Sequence, residues 1–422
     1  MNDTHDTNDG ALPEVFLGRQ PILDRAQQLV AYELLFRPSL RNDANPLGDQ
    51  ALATATVVTN AFTQLSLGDA LGACRGYVNV DENFLFSELV EALPRESVVL
   101  EILESVRPTP EVLERCAQLK QAGFLLAVDD LVDDRPETRA LLEQVDIIKI
   151  DVQETRDEAL ARLVDALRPL GKTLVAEKVE TRAQMEHCHA LGFDLFQGYF
   201  FAQPTVIAGK RLTASEIVLL RLLGLVIEDA DTTRIEQEFK QEPGLTLNLL
   251  RLTNSAASGL STHITSLRHA ITLLGRRQLQ RWLQLLLYTA PQGGETVSPL
   301  LQLAATRGRL MELLAEKLQP QGRELADHAF MIGIMSLMPA LLGMAMADLL
   351  AQLPVAPRVR QALCEYGGTL GSLLRLVEST EQADPAPADE ALRALPALNA
   401  QTLAACLATA LAWSNRLGRS NG

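Results

Sequence analysis

A short stretch of the chain places two adjacent carboxylates directly after a continuous apolar run. Five apolar residues from Phe124 to Val128 lead into Asp129 and Asp130. An apolar run of this length after a glycine is typical of a strand buried on both faces. Two acids at its end repel each other and lose solvation, and a divalent cation relieves both costs because hard cations bind carboxylate oxygens. Taken alone, the stretch is equally compatible with two solvated acids that open a loop.

The same arrangement recurs along the first half of the chain. Other apolar runs contain or end in a polar residue, at Glu33, Asn79, Glu101, Lys149 and Glu177. Amphipathic stretches with helical spacing lie between the runs, for example over 110–123 and 157–170. Strands that alternate with helices predict parallel strands joined by crossovers. We therefore expect a closed, TIM-like (β/α) barrel with its chemistry at the carboxyl ends of the strands.

The first two predicted strands differ from the others in how they are connected. Only a turn at Asp24-Arg25 separates the run Phe16–Ile22 from the run Leu29–Phe36. A connection this short allows an antiparallel pair and no crossover. The first strand is thus predicted to run against the rest of the barrel.

These residues resemble the EAL domain, the cyclic di-GMP phosphodiesterase module, over Val15 to Pro204. The resemblance rests on seven short motifs that occur in the family's order, each at a predicted strand end. They are Gln20-Pro21-Ile22 with Tyr32 to Arg37, Asn79 in Val-Asn-Val-Asp, Glu101 and Glu104 in Leu-Glu-Ile-Leu-Glu, Asp129-Asp130, Lys149 in Ile-Lys-Ile-Asp, Glu177 and Glu180 in Ala-Glu-Lys-Val-Glu, and Gln197 in Phe-Gln-Gly-Tyr.

The resemblance implies a phosphodiesterase that uses Mg²⁺ or Mn²⁺ to hydrolyse cyclic di-GMP to linear pGpG. Two metals can clamp the attacking and leaving oxygens of such a reaction. The implied ligands of one metal are Glu33, Asn79, Glu101 and Asp129, and those that serve the second metal and the attacking water are Asp129, Asp130 and Glu177. Glu177 is the implied base, and Lys149 orients the water and stabilises negative charge. The implied substrate contacts are Gln20, Arg37, Glu180 and Gln197.

Simpler roles stay open for several of these residues. Lys149 would also fit an internal ion pair with Asp151 or a neighbour, and Arg37 a surface position. Gln20 and Gln197 would also fit hydrogen bonds to loop backbone.

The chain departs from the family pattern at three places. Leu34 replaces the alanine of the name-giving motif, and Lys178 stands where a glycine usually follows the catalytic glutamate. In active members this segment resembles Asp-Asp-Phe-Gly-Thr-Gly-Tyr-Ser-Ser, in which two glycines follow the pair of strand-end acids. The loop 131–137 of this chain has no glycine and contains Pro136. Two alternatives to the enzyme therefore remain: a degenerate EAL domain that binds cyclic di-GMP without cleaving it, and a scaffold that binds no nucleotide.

The second half of the chain changes to helical periodicity. The stretches Leu249–Ala256 and Ser266–Gly275 resemble the HDOD domain, a helical relative of HD phosphohydrolases, and the likeness extends over about 213–376. An HD enzyme needs a His-Asp pair, but none of His263, His269 and His328 precedes an aspartate. The resemblance therefore implies a non-catalytic domain that signals through protein partners.

Composition limits the function and the compartment. The net charge of −15 over 422 residues argues against a broad basic face for nucleic-acid polymers. Five scattered cysteines without a CxxC or zinc spacing favour reduced thiols and a cytoplasmic protein. The pair His187 and His189 is not expected to bind metal, because positions i and i+2 do not share a helix face.

The expected organisation has three parts, which are a disordered tail over 1–12, the EAL barrel over 13–205, and the helical HDOD domain with C-terminal helices over 206–422. The uncharged stretch Ala329–Ala347 is expected to form two buried helices that meet at Met338-Pro339, and no membrane span. Glu381–Glu390 is predicted to be a loop. The last helix, from Asn399 to Leu417, would pack on the helical domain or on a second copy, so a homodimer stays open.

Overall fold

A computed structural model describes residues 16–37, 71–72, 74–131, 136–155, 157–202, 212–256, 266–289, 298–381 and 386–419. The predicted tail over 1–12 and most of the loop 131–137 lie outside these residues. The described part divides into a barrel and a set of helices, each with its own hydrophobic core.

Eight strands close the barrel in sequence order. The first strand is antiparallel to both of its neighbours, and the remaining pairs are parallel, so the predicted antiparallel start of a TIM-like barrel is confirmed. The strands are β1 (Phe16–Asp24), β2 (Leu29–Arg37), β3 (Arg75–Val80), β4 (Val98–Ile102), β5 (Leu125–Leu131), β6 (Ile147–Asp151), β7 (Thr173–Glu177) and β8 (Leu195–Gln197).

Short helices connect the parallel strands and cover the barrel. They are α1 (Glu82–Phe86), α2 (Pro110–Gln121), α3 (Pro136–Gln144), α4 (Asp157–Leu167) and α5 (Arg182–Leu191), with 3₁₀ turns at Glu88–Ala92 and Arg168–Leu170. Their caps follow from the sequence: the side chain of Thr109 accepts the Val112 N–H at the start of α2, and Thr181 forms a capping box with Gln184 at the start of α5.

The barrel interior is built in two layers. One apolar side chain from each of seven strands packs along the axis in a small cluster of its own, and Leu125 and Leu195 pack against it; the seven are Ile22, Ala31, Tyr77, Val99, Ala127, Ile147 and Val175. Because side chains on a strand alternate between faces, the residue two positions further toward the mouth points inward as well. That second layer is polar on every strand: Gln20, Glu33, Asn79, Glu101, Asp129, Lys149, Glu177 and Gln197.

The second half consists of helices. They are α6 (Ala214–Ile227), α7 (Thr232–Phe239), α8 (Pro243–Ala256), α9 (Leu267–Leu286), α10 (Pro299–Leu318), α11 (Arg323–Met335), α12 (Met338–Leu342), α13 (Met346–Ala351), α14 (Pro357–Glu365), α15 (Gly368–Glu381), α16 (Ala386–Arg393) and α17 (Ala400–Arg419), with a 3₁₀ turn at Leu287–Thr289. One continuous core joins these helices, which gives the α/β barrel plus all-α fold that the sequence predicts.

Three details of the helical half concern the breaks and ends of its helices. Gly275 breaks α9 with non-helical angles (φ 73°, ψ 162°), at the end of the stretch Ser266–Gly275. The expected loop over 381–390 is wrong from residue 386 onward, because α16 begins there and a proline is tolerated in a first helical turn. Asn399 caps α17 by accepting the Thr402 N–H at 2.8 Å.

The apolar stretch around Pro339 forms the end of α11 and the whole of α12, with Pro339 in the first turn of α12. By length and composition the segment Arg323–Leu342 could cross a membrane, and 67% of its most apolar window is buried inside the fold. Its buried side chains therefore belong to the helical core. The stretch forms two helices that meet near Met338, as the sequence predicts.

Candidate active site

Lys149 lies at the centre of the polar layer. Its side chain is buried, and its Nζ lies 3.2 Å from Glu33 Oε2, 3.1 Å from Asp129 Oδ1 and 2.6 Å from Glu177 Oε1, and it also contacts Glu101 Oε1. Three of the predicted metal ligands and the predicted base thus converge on one point. The internal ion pair that the sequence left open for Lys149 is therefore present with these neighbours, whereas Asp151 pairs with Lys178.

The charges in this cluster depend on one another. Burial alone would lower the pKa of Lys149, but the surrounding carboxylates raise that pKa well above its ordinary value, so the ammonium is charged. Burial raises the pKa of Glu177 to about 8 and that of Glu101 well above its ordinary value. Burial also opposes ionisation of Asp129, but Lys149 and hydrogen bonds lower its pKa. The single ammonium of Lys149 therefore does not balance the negative charge that the surrounding carboxyl groups would carry if all of them were ionised.

Several buried oxygens of the polar layer have no hydrogen-bond partner among the residues that the structure describes. They are Asn79 Oδ1, Glu101 Oε2, Glu177 Oε2 and Gln197 Oε1. Buried polar atoms in native proteins are almost always paired, so orphans at one place indicate a ligand that is missing from the protein alone. One oxygen each from Glu33, Glu101 and Glu177 lies within 4.8 Å of the others. An all-oxygen donor set at this spacing fits a hard divalent cation.

Asp130 lies at the rim of the same site. The pairing of β5 with β6 shifts between Val128 and Leu131, and Asp130 adopts a left-handed backbone angle (φ 44°) in this bulge. The bulge lets two consecutive acids face the mouth. Oxygens of Glu104, Asp129 and Asp130 form a second group within 4.8 Å.

Lys178 provides a second cation beside this group. Its Nζ lies 3.1 Å from Asp130 Oδ1 and 2.5 Å from Asp151 Oδ2. Lys178 has a left-handed φ of 56°, which a glycine adopts without strain and a lysine does not. Asp151 is buried and also accepts the backbone N–H of Gln153 at 2.7 Å. Sequence reasoning missed Asp151 as a site residue, although its i+2 spacing from Lys149 on β6 places both on one strand face.

Gln197 lies where β8 pairs with β1 and closes the barrel. Its Nε2 donates to Gln20 Oε1 at 2.8 Å and to Glu33 Oε2, while Asn79 Nδ2 donates to Glu33 Oε1 at 3.3 Å. The two predicted glutamine contacts therefore lie side by side at the mouth. They hydrogen-bond side chains of the site and not loop backbone.

Gly198 sets the direction of the chain directly after Gln197. Its φ is 147°, and a Cβ at this position would lie 2.0 Å from the carbonyl oxygen of Val179. We expect Gly198→Ala to destabilise the protein by more than about 2 kcal/mol, because the clash is with backbone that cannot move aside. Urea unfolding measures this loss, with Gly171→Ala as the control since a Cβ there meets nothing within 4 Å. Equal loss in both variants would contradict the role given to the Val179 contact.

One predicted substrate residue is not brought into this cluster, and the side chain of another is not described. Glu180 is exposed, and its backbone N–H donates to Gln184 Oε1 at 3.0 Å. Arg37 ends β2, but its side chain lies outside the described part of the structure. The predicted roles of both residues stay predictions.

Comparison with known proteins gives the class that this fold and site define. A model of the EAL domain matches residues 13–204, and a model of the HDOD domain matches residues 216–354. The uncharacterized protein YuxH of Bacillus subtilis is 34% identical over 87% of this chain and 90% of its own length. The cyclic di-GMP phosphodiesterase CdgJ of Vibrio cholerae is 32% identical over 87% of this chain and 85% of its own length.

The chain therefore belongs to the EAL-domain family and carries an HDOD domain after its EAL barrel. Among solved structures, the EAL-domain protein YkuI of Bacillus subtilis, crystallised with cyclic di-GMP and calcium, aligns with a TM-score of 0.38 and 19% identity, over 58% of this chain and 65% of that chain.

Proposed function

We propose that this protein is a metal-dependent phosphodiesterase that hydrolyses cyclic di-GMP to linear pGpG. The observation that carries the proposal is the convergence of Glu33, Glu101, Asp129 and Glu177 on one buried point, with unpartnered oxygens beside it. The similarity to CdgJ over most of both chains supports the substrate. A scaffold that binds no nucleotide would leave this costly buried cluster without a purpose.

The residues of the mouth fit one or two Mg²⁺ or Mn²⁺ ions. Glu33, Asn79, Glu101 and Asp129 would hold one ion, and Asp129, Asp130 and Glu177 would serve the second. A bound divalent ion would acidify the attacking water and neutralise charge on the phosphate. Glu104, whose oxygen lies near those of Asp129 and Asp130, is a further candidate ligand.

The protein side chains would do the remaining work. Glu177 would accept the proton of the attacking water, since its buried carboxylate lies among the proposed metal ligands at the mouth of the barrel and its Oε2 has no hydrogen-bond partner among the described residues. Lys149 would hold Glu177 in place through its 2.6 Å contact and would stabilise charge that develops on the phosphate. Gln20 and Gln197 would hold the substrate by hydrogen bonds at the open side of the mouth.

A turnover assay tests this function. The full chain with Mn²⁺ is expected to convert cyclic di-GMP to a linear dinucleotide with one terminal phosphate, separated by ion-exchange chromatography. Calorimetry in Ca²⁺ should show binding of the intact nucleotide. Binding without any turnover would reject the enzyme and favour the second candidate, and the absence of both would reject each of them.

The second candidate is a receptor that binds cyclic di-GMP without hydrolysis. The pairing of Asp130 with Lys178 favours it, because the ammonium competes with a cation for the same carboxylate. The glycine-free loop after Asp130 supports it from sequence. Ligand occupancy would then shift the HDOD domain between protein partners.

Replacing Lys178 measures this competition. Lys178→Ala is expected to tighten Mn²⁺ binding by about fivefold, because Asp130 no longer has a charged partner. Mn²⁺ calorimetry on the full chain checks the change, and Lys172→Ala is the control since that lysine, within the described part of the chain, donates to the Glu143 carbonyl and to no carboxylate of the site. An unchanged or weaker Mn²⁺ affinity in Lys178→Ala would show that Lys178 does not compete with the metal.

The remaining organisation follows from the same proposal. We place the barrel domain at 13–205 and the HDOD domain with its C-terminal helices at 206–422. The HDOD domain would act through protein contacts and without catalysis, and the protein would be cytoplasmic. Self-association through α17 remains part of this proposal.

A further inference from the structure

Among the described residues, the helical domain contacts the barrel at β1, at β2, at Gly72 before β3 and at the segment that follows β8. Helices α15 and α17 pack against β1. The guanidinium of Arg19 lies 4.2 Å from the ring centre of Tyr32, and its Nη2 lies 3.4 Å from Thr306 Oγ1 of α10. Beyond β8, the hydroxyl of Tyr199 lies 2.6 Å from Arg307 Nη2, also on α10.

These contacts lie directly behind one part of the active site. Arg19 and Tyr32 immediately precede Gln20 and Glu33, whose side chains point to the opposite face of each strand. Gln197, two residues before Tyr199, donates to both Gln20 and Glu33. The helical domain therefore touches the outer face of the strands whose inner faces carry this hydrogen-bonded group.

Arg307 is the anchor of the contact. It is buried, and it donates to Glu381 Oε1 at 2.9 Å, to Glu378 Oε1 at 2.9 Å and to Ser336 Oγ at 2.7 Å. Residues of α15 and Ser336 at the end of α11 thus hold the guanidinium of Arg307 in place within the helical domain. A displacement of Arg307 would break hydrogen bonds of this buried network, which is costly in free energy at a site of low dielectric constant.

The chain between Tyr199 and the active site is equally constrained. The Val179 N–H donates to the Gln197 carbonyl at 2.9 Å, and the Phe200 N–H donates to the Val179 carbonyl at 3.2 Å. Val179 lies two residues after Glu177. These two hydrogen bonds tie the chain on either side of Tyr199 to the segment that follows β7.

We propose that the Tyr199–Arg307 contact is a positioning element, through which the helical domain sets the placement of Gln197 and of the β7 end at the mouth of the barrel. Neither residue touches the reacting atoms. The kinetic part of the proposal rests on the proposed function, whereas its structural part does not. An effector that moves α10 or α15 would act on the site through this contact.

Hydrogen exchange of the full chain without nucleotide tests the structural part. Tyr199→Phe keeps the ring and removes the hydroxyl, so backbone amides over 178–180 and 195–202 are expected to exchange at least about fivefold faster, while those of β3 and β4 stay unchanged. Arg307→Lys, in the other domain, should accelerate the same two barrel segments. Unchanged exchange in these segments, or acceleration spread evenly over the barrel, would overturn the proposal.

Tyr288→Phe is the matched control. Tyr288 is also buried in the helical half and donates to the Ile334 carbonyl at 2.6 Å, within that half. Its loss should leave 178–180 and 195–202 unaffected. Acceleration of these segments by Tyr288→Phe equal to that by Tyr199→Phe would show a general loss of stability and would contradict the proposal.

Kinetics test the functional part. Tyr199→Phe is expected to raise KM for cyclic di-GMP about fivefold and to lower kcat less, because the displaced Gln197 and Gln20 hold substrate. Tyr288→Phe should change neither constant. A fall in kcat at constant KM would contradict this assignment. A wild type without binding or turnover would reject the proposed function, while the exchange result would still decide the structural part.

Discussion

Replacement of Glu177 by glutamine is expected to lower kcat for cyclic di-GMP by about a thousandfold, within the range that a lost general base costs. The amide keeps the size of the side chain but cannot accept the proton of an attacking water. Glu177 Oε2 is one of the unpartnered buried oxygens, so the same change also removes a metal donor from the mouth. Initial rates at saturating cyclic di-GMP and saturating Mn²⁺ measure kcat directly.

Glu186→Gln is the control for this experiment. Glu186 lies on α5 and pairs with exposed Arg182 at 2.9 Å, so its neutralisation changes the net charge equally and leaves the site intact. Its kcat should stay within about twofold of the wild type. If Glu177→Gln kept more than a tenth of the wild-type kcat, Glu177 would not be the base.

Replacement of Lys149 by methionine is expected to have the largest effect on stability. Removal of one partner from a buried ionic cluster costs about 3–5 kcal/mol, because the remaining charges stay desolvated and repel each other. Four carboxylates contact the Lys149 ammonium, and methionine leaves them without it. In EDTA the barrel should therefore unfold roughly 10 °C lower than in the wild type.

Mn²⁺ provides the second half of this test. A divalent ion replaces the missing positive charge, so Mn²⁺ should raise the unfolding temperature of Lys149→Met more than that of the wild type. Lys172→Met serves as the control, since its Nζ makes a single exposed hydrogen bond to the Glu143 carbonyl at 2.9 Å. An equal rise in the variant and the wild type would contradict the idea that Lys149 and the metal share the same carboxylates.

The core of the site could be predicted from sequence because it follows a local rule. Each strand carries an apolar inward residue and then a polar one two positions away, as in Ala127 and Asp129, and a closed barrel brings all such positions to one mouth. The antiparallel start could be predicted as well, since the Asp24-Arg25 turn admits no other pairing.

The rest depends on contacts that no local pattern contains. The pairing of Lys178 with Asp130 requires a left-handed backbone at a lysine, which sequence rules discourage. Tyr199 and Arg307 are 108 residues apart and meet only because two domains pack together. The error over 386–390 has a simpler cause, since Pro387 can stop a helix or open one, and the choice depends on the core that α16 joins.

The convergence of the acidic residues on a bound cation is the central claim, and anomalous diffraction tests it most directly. In crystals of the full chain grown with Mn²⁺, an anomalous difference map recorded at the manganese edge locates the ion without reference to activity. The strongest peak is expected within bonding distance of Asn79 Oδ1 and of carboxylate oxygens of Glu101 and Asp129. A mouth without a peak, with Lys149 still bound to all four carboxylates at saturating Mn²⁺, would contradict the claim.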